Sequence, residues 1–143
     1  MKDFLIKMKG VSKAPPAPGI AVILYAFGGS CLAFLCIGLL HAASLERAGL
    51  PLLMAPFGAS AVLVFGAPNS PLAQPRNVIG GHVVSALVGV TVYQLVGDSP
   101  LAAVSIAVPA AIALMHASRT LHPPGGATAF VAAAGGNAVH ALG

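Results

Sequence analysis

Leu121-His122-Pro123-Pro124-Gly125-Gly126-Ala127-Thr128-Ala129-Phe130 lies between a long apolar run and the apolar segment that closes the chain. Proline fixes φ and removes a backbone donor, and glycine weakens a helix interior. Two of each in succession are a poor continuation for a membrane helix. They suit the start of a new one, because proline in the first helical turn leaves no N–H unsatisfied. An earlier stretch, Pro56-Phe57-Gly58-Ala59-Ser60-Ala61-Val62-Leu63, repeats the core of this one. With Pro56 set against Pro124, Gly58 meets Gly126, Ala59 meets Ala127, Ser60 meets Thr128 and Ala61 meets Ala129. Further on, Asn69 meets Asn137.

The rest of the chain places both stretches in a membrane. Of 143 residues, 57% are hydrophobic and only 7% charged, against about 25% charged in soluble domains. Mean hydropathy is +0.92. The apolar runs are continuous, whereas a barrel strand alternates over about 10 residues. The expected class is an all-α, polytopic membrane bundle. Net charge is +4, but Lys2, Lys7, Lys9 and Lys13 crowd the N-terminus. No basic patch interleaved with aromatics is present, so nucleic acid is not an expected partner.

Met1 to Gly19 is a basic, Pro-rich segment, and residues 20–143 form the transmembrane domain. A cleaved signal peptide is the competing reading of the start. The run that follows, Ile20 to Ala43, is too long for a signal-peptide core and no small-x-small cleavage site follows it. The other runs are Leu50 to Ala67, Val78 to Val96, Leu101 to Ala117, and the segment from the Pro-Pro break to Gly143. Pro68 to Asn77, with three prolines, reads as an irregular loop, and Gly97-Asp98-Ser99-Pro100 as a tight turn. Five crossings with the N-terminus in the cytoplasm put six of the seven basic residues inside and only Arg47 outside, as the positive-inside rule requires.

In that topology the two Pro-x-Gly-Ala-[Ser/Thr]-Ala stretches run in opposite directions. One device in opposite orientations marks a 3+3 inverted repeat with a broken helix in each half. That scheme expects a sixth helix beyond Gly143. Half-helix starts offer free N–H groups and a positive dipole end, which favour an anion. Broken backbone is tolerated in lipid only where it is buried or lines a cavity. Two kinked helices that merely pack well are the alternative.

Gly58, Ala59, Ser60, Gly125, Gly126, Ala127 and Thr128 are therefore the expected anion-binding segment residues. Arg76 and Arg119 anchor topology or supply an electropositive entry. His82 can donate to an anion, pair with a loop carbonyl or cap a turn. His122 contacts the ligand or holds the Pro-Pro turn. Asn77, Gln74 and Gln94 serve either a path or a packing bond. Gly81, Ser85 and Gly89, like Ala103, Ala107 and Ala111, recur every four residues. Such small-residue faces predict close helix packing and, through Gly81, Ser85 and Gly89, a homo-oligomer contact. No His-x-x-x-His or Cys-x-x-Cys spacing occurs, so neither a metal nor another cofactor is expected. Cys31 and Cys36 point about 140° apart on a helix and read as packing residues. The only carboxylates, Asp3, Glu46 and Asp98, fall in tails or loops. A cation-coupled pump wants one inside the membrane, which favours passive or His-assisted anion movement. No nucleophile–base pair is visible, so no enzyme is expected.

The stretch from Leu121 to Ala129 resembles the His-Pro-Pro signature of the HPP family of integral membrane proteins. Gly58 to Pro68, Ser70 to Asn77 and Gly80-Gly81-His82 match the family pattern in the same order, and the likeness extends over about Pro15 to Gly136. Members in cyanobacteria and chloroplasts are implicated in nitrite transport. The resemblance therefore implies a transporter or channel for a small monovalent anion such as nitrite, in a bacterial inner membrane. A non-transporting scaffold, sensor or subunit is the alternative. Members usually continue into another apolar helix, as the 3+3 scheme also expects.

Overall fold

The computed structural model describes residues 16–40, 42, 55–97 and 99–141. The N-terminal lysines, His41, the Glu46–Arg47 loop and Asp98, and with them most of the charges of the expected topology, lie outside the described residues. The described elements are α1 (Ile20–Leu40), α2 (Ala55–Gly66), a 3₁₀ turn (Pro71–Ala73), α3 (Pro75–Val96), α4 (Pro100–Ala117), α5 (Pro123–Ala134) and the short α6 (Asn137–His140). No strand occurs among the described residues. The chain is a helical membrane bundle, with α1, α3 and α4 long and apolar enough to cross a bilayer. α2 and α5, as described, have 12 residues each. At 1.5 Å per residue each spans about 18 Å, short of a hydrocarbon core of about 30 Å.

Three helices begin on proline: Pro75, Pro100 and Pro123. Each spares the first turn an N–H that has no helical partner. This corrects the expected loop from Pro68 to Asn77, because Pro75, Arg76 and Asn77 already belong to α3. The shorter loop is pinned by its own polar groups. Ser70 Oγ accepts from the Leu72 N–H at 3.2 Å, and Gln74 Nε2 donates to the Pro68 and Ser70 carbonyls at 3.3 and 3.1 Å. Gly97, at φ 72°, makes the turn into α4 in a conformation glycine adopts freely. α4 ends in a Schellman motif: Thr120 N–H reaches the Met115 carbonyl and Arg119 N–H the His116 carbonyl. That motif places Arg119 in the left-handed region at φ 57°. The final run is two helices rather than one. Gly136, at φ 79°, separates α5 from α6.

The core is where α3 meets α4 and α5. Gly81, Ser85 and Gly89 of α3 are buried, as are Ala103, Ala107 and Ala111 of α4. A Cβ on Gly89 would lie 2.5 Å from the Ala132 Cβ and 2.7 Å from the Ala129 carbonyl oxygen. Small residues thus let the backbones of α3 and α5 nearly touch, as lipid-embedded packing requires. The homo-oligomer contact expected through Gly81, Ser85 and Gly89 is corrected on the same ground: α5 and the approach to it, in this same chain, occupy that face. α1 stands apart. It has no buried residue, and its main contact is with α2, where Phe65 covers Gly29.

Candidate functional site

Amid this apolar packing sits a cluster of polar side chains from α2, α3 and the start of α5. His122 precedes Pro123 in extended conformation, at φ −138° and ψ 105°. Its side chain makes no helix cap and turns inward, where it is fully buried at 0% exposure. Ser60, on α2, is also buried. His82 on α3 and Thr128 on α5 are half-buried.

These groups form one continuous chain. His122 Nδ1 lies 2.9 Å from the Leu72 carbonyl oxygen. His122 Nε2 is 2.9 Å from Ser60 Oγ, and Ser60 Oγ is 2.8 Å from His82 Nε2. His82 Nδ1 is 2.7 Å from Thr128 Oγ1. The two imidazoles meet edge to face, with centroids 5.0 Å apart, and the Phe57 ring lies 5.6 Å from that of His82.

A carbonyl oxygen only accepts, and this fixes the directions. His122 Nδ1–H donates to Leu72. With both rings neutral, His122 Nε2 is then an acceptor and takes the Ser60 hydroxyl proton. Ser60 Oγ in turn accepts from His82 Nε2–H, which leaves His82 Nδ1 to accept from the Thr128 hydroxyl. The order Thr128 → His82 → Ser60 → His122 → Leu72 uses each side-chain donor once and leaves none unpaired. In a bilayer an unsatisfied polar group costs several kcal/mol, so the cluster is stable there only because it closes on itself.

Among the expected site residues, Ser60, His82, His122 and Thr128 come together. Asn77 lies beside them in a packing role: it is buried, and its Nδ2 donates to the Leu121 carbonyl at 2.8 Å, which fixes the strand of chain entering α5. Gly125 is a packing residue too, because a Cβ there would meet Ser85 Oγ at 2.8 Å and the Gly81 carbonyl at 3.0 Å. Gly58 and Gly126, the pair matched in the repeat, have open space beside their Cα atoms. Ala59 and Ala127 face each other across an apolar groove of about 570 Å³ between α2 and α5. Gly58 lines a second groove, of about 480 Å³, between α1 and α2. Neither groove is lined by the His–Ser–His–Thr chain. Arg76 and Arg119 are exposed and make no contact with it.

Two participants, Leu72 and Phe57, carried no signal in the sequence. Leu72 acts through its carbonyl, which any residue has. Phe57 places its ring on His82 from within the first repeat stretch. Ser85 is fully buried with its Oγ 3.6 Å from the Met115 sulfur; its place in the four-residue small stripe was the one available pointer. No group of three or more His, Cys, Asp or Glu suited to a metal occurs among the described residues.

The model of the family described as "HPP, transmembrane region" matches residues 15–143. The chain belongs to this family. Two Dictyostelium discoideum proteins, each named as a transmembrane protein, resemble this HPP chain. One is 41% identical over 132 residues, covering 90% of this chain and 42% of the relative. The other is 40% identical over 129 residues, covering 88% of this chain and 45% of the relative. The HPP chain spans less than half the length of these curated relatives. No solved structure matches it.

Proposed function

We propose that this HPP domain moves a small monovalent anion, with nitrite the first candidate, through the junction of α2, α3 and α5. One observation carries the reading. His82 is held on its two nitrogens by Ser60 and Thr128, the two hydroxyls that the repeat sets opposite each other. Their shared partner supports an internal repeat with a broken helix in each copy, and a common site between the copies. Open space beside Gly58 and Gly126, again matched positions, supports close approach of a ligand there.

The donors differ from those of an ordinary helix start. Pro123 and Pro124 have no N–H, so α5 offers little backbone to an anion. Ser60, His82 and Thr128 take over that task. Exposed Arg76 and Arg119 raise local anion concentration at the surface. On the lysine count we place the N-terminus in the cytoplasm and, in a bacterium, the domain in the inner membrane. The chemistry is transport, with neither enzyme catalysis nor a bound cofactor.

The closed hydrogen-bond chain favours a second reading, in which the cluster only pins three helices in a membrane module of a longer protein. Reconstitution decides between them. Liposomes holding the purified protein should take up nitrite faster than protein-free liposomes. His82→Gln should abolish the difference while the protein still elutes as a folded species. No flux from folded wild-type protein sinks the transport reading and leaves the pin.

A further inference from the structure

We propose that the anion site opens only when the His82–Ser60–His122 unit takes up one proton, so that each anion travels with a proton. This rests on the transport reading above and names its coupling ion.

The argument starts from the closed neutral chain, where the Thr128 hydroxyl spends its only hydrogen on His82 Nδ1. Add one proton to the unit. On His82, the ring carries N–H at both nitrogens; Nε2–H donates to Ser60 Oγ and Nδ1–H donates to Thr128 Oγ1. On His122, Nε2–H donates to Ser60 Oγ, Ser60 O–H donates to His82 Nε2, and His82 Nδ1–H again donates to Thr128. These two arrangements interconvert without moving a heavy atom. The His82 Nε2 proton passes to Ser60 Oγ as the Ser60 proton passes to His122 Nε2; one N–H and one O–H break, and one of each forms. In both, Thr128 Oγ1 has become an acceptor and its hydrogen is free.

Protonation therefore does two things at once. It places one positive charge across two rings whose centroids are 5.0 Å apart, and it releases a hydroxyl donor on the half-buried side of the cluster. A monovalent anion takes both: the hydroxyl hydrogen-bonds an anion oxygen, and the charge is neutralised. Two imidazolium rings that close would repel, so the unit carries one proton per anion. Nothing else nearby competes for this role. α2, the 3₁₀ turn and α5 contain no titratable side chain. On α3 and α4, Arg76 and His116 are exposed, as is Arg119 beyond α4, and Tyr93 lies three turns along α3 from His82.

The test uses the full chain in liposomes loaded with a pH-reporting dye, with protein-free liposomes as the blank for nitrous acid leaking through lipid. An inward proton gradient should accelerate nitrite uptake, and the lumen should acidify beyond the blank as nitrite enters. Thr128→Ser keeps the hydroxyl and should retain uptake. Thr128→Val keeps the shape and should slow uptake about tenfold or more, the worth of one hydrogen bond to a charged group, in protein that still elutes as a folded species but melts lower, because His82 Nδ1 loses its partner. Uptake that ignores the gradient and leaves the lumen pH at the blank overturns the coupling but not the transport. No uptake from folded protein under any gradient removes both. The ¹⁵N shifts of the histidine rings give an independent check. Neutral His122 should be the Nδ1–H tautomer and neutral His82 the Nε2–H tautomer, and the opposite pair overturns the donor order.

Discussion

Gly81→Ala tests whether close backbone approach is what holds the histidine pair. A Cβ at this position would lie 2.5 Å from the Cβ of His122 and 2.9 Å from the Thr120 carbonyl oxygen. Carbons in contact sit about 3.5–4.0 Å apart, so His122 must retreat by about 1 Å. Its two bonds, both 2.9 Å, run from opposite ring nitrogens to Ser60 and Leu72. A shift of that size cannot keep both within hydrogen-bonding range. Three terms then set the stability. Alanine in place of a helical glycine gains about 1 kcal/mol. Overpacking costs about 1–3 kcal/mol. A buried donor or acceptor left unpaired costs about 1–3 kcal/mol more. The sum is a net loss of roughly 1–5 kcal/mol. The expected outcome is a lowered melting temperature in detergent and nitrite uptake close to that of protein-free liposomes. A protein that melts and transports like wild type would refute the idea that the α3–α5 approach seats His122.

Other expectations follow from neighbouring positions. Gly126→Ala adds a methyl group where nothing lies within 4 Å; the melt should hold or rise, by about 1 kcal/mol at most, while anion uptake falls if this space admits the ligand. Asn77→Leu removes the bond to the Leu121 carbonyl and should cost about 1–3 kcal/mol in a detergent melt. Arg76→Gln with Arg119→Gln should slow uptake chiefly at low ionic strength, because exposed charges act across a Debye length of about 10 Å at 0.1 M salt, and should leave the melt unchanged. Cys31 and Cys36 are free and exposed on α1; in intact membranes both should resist a water-soluble maleimide and react once the protein is denatured.

The parts of this molecule that depend on local chemistry were legible in the sequence. α1, α3 and α4 follow from long apolar runs, that of α4 passing through Pro109, and the Pro123-Pro124 pair marks a helix start because the first turn is where proline fits best. Pro75 is the exception: three prolines in ten residues read as a loop, although the last of them sits at the first helical position, which favours it. Gly135 and Gly136 were read through as continuous helix, because two glycines carry no apolar signal against the run around them. At the site, Ser60, His82, His122 and Thr128 were all identified as polar residues in apolar surroundings. What they bond was not legible. Their contacts span 22 to 62 positions along the chain, and no local pattern encodes distance at that range. Gly125 was mistaken for a ligand position for the same reason; its neighbours Gly81 and Ser85 come from another helix. The small-residue stripe of α3 gave the face correctly and its partner wrongly, since a stripe records closeness without saying to which helix.

α1 buries no residue and leans mainly on α2, and this bears on how the domain is made. A helix with no obligations to its neighbours can leave the translocon and settle in lipid as soon as it is synthesised. α2 and α5 differ: α5 has only 12 residues, short of a span, and the Ser60 and Thr128 hydroxyls meet their shared partner His82 only when α2, α3 and α5 come together. They must wait for α3 to bring His82 between them. Biogenesis thus divides into an early insertion that needs only hydrophobicity and a late assembly that needs the polar cluster. Substitutions in the cluster should then appear first as a defect in maturation after α1 is already anchored.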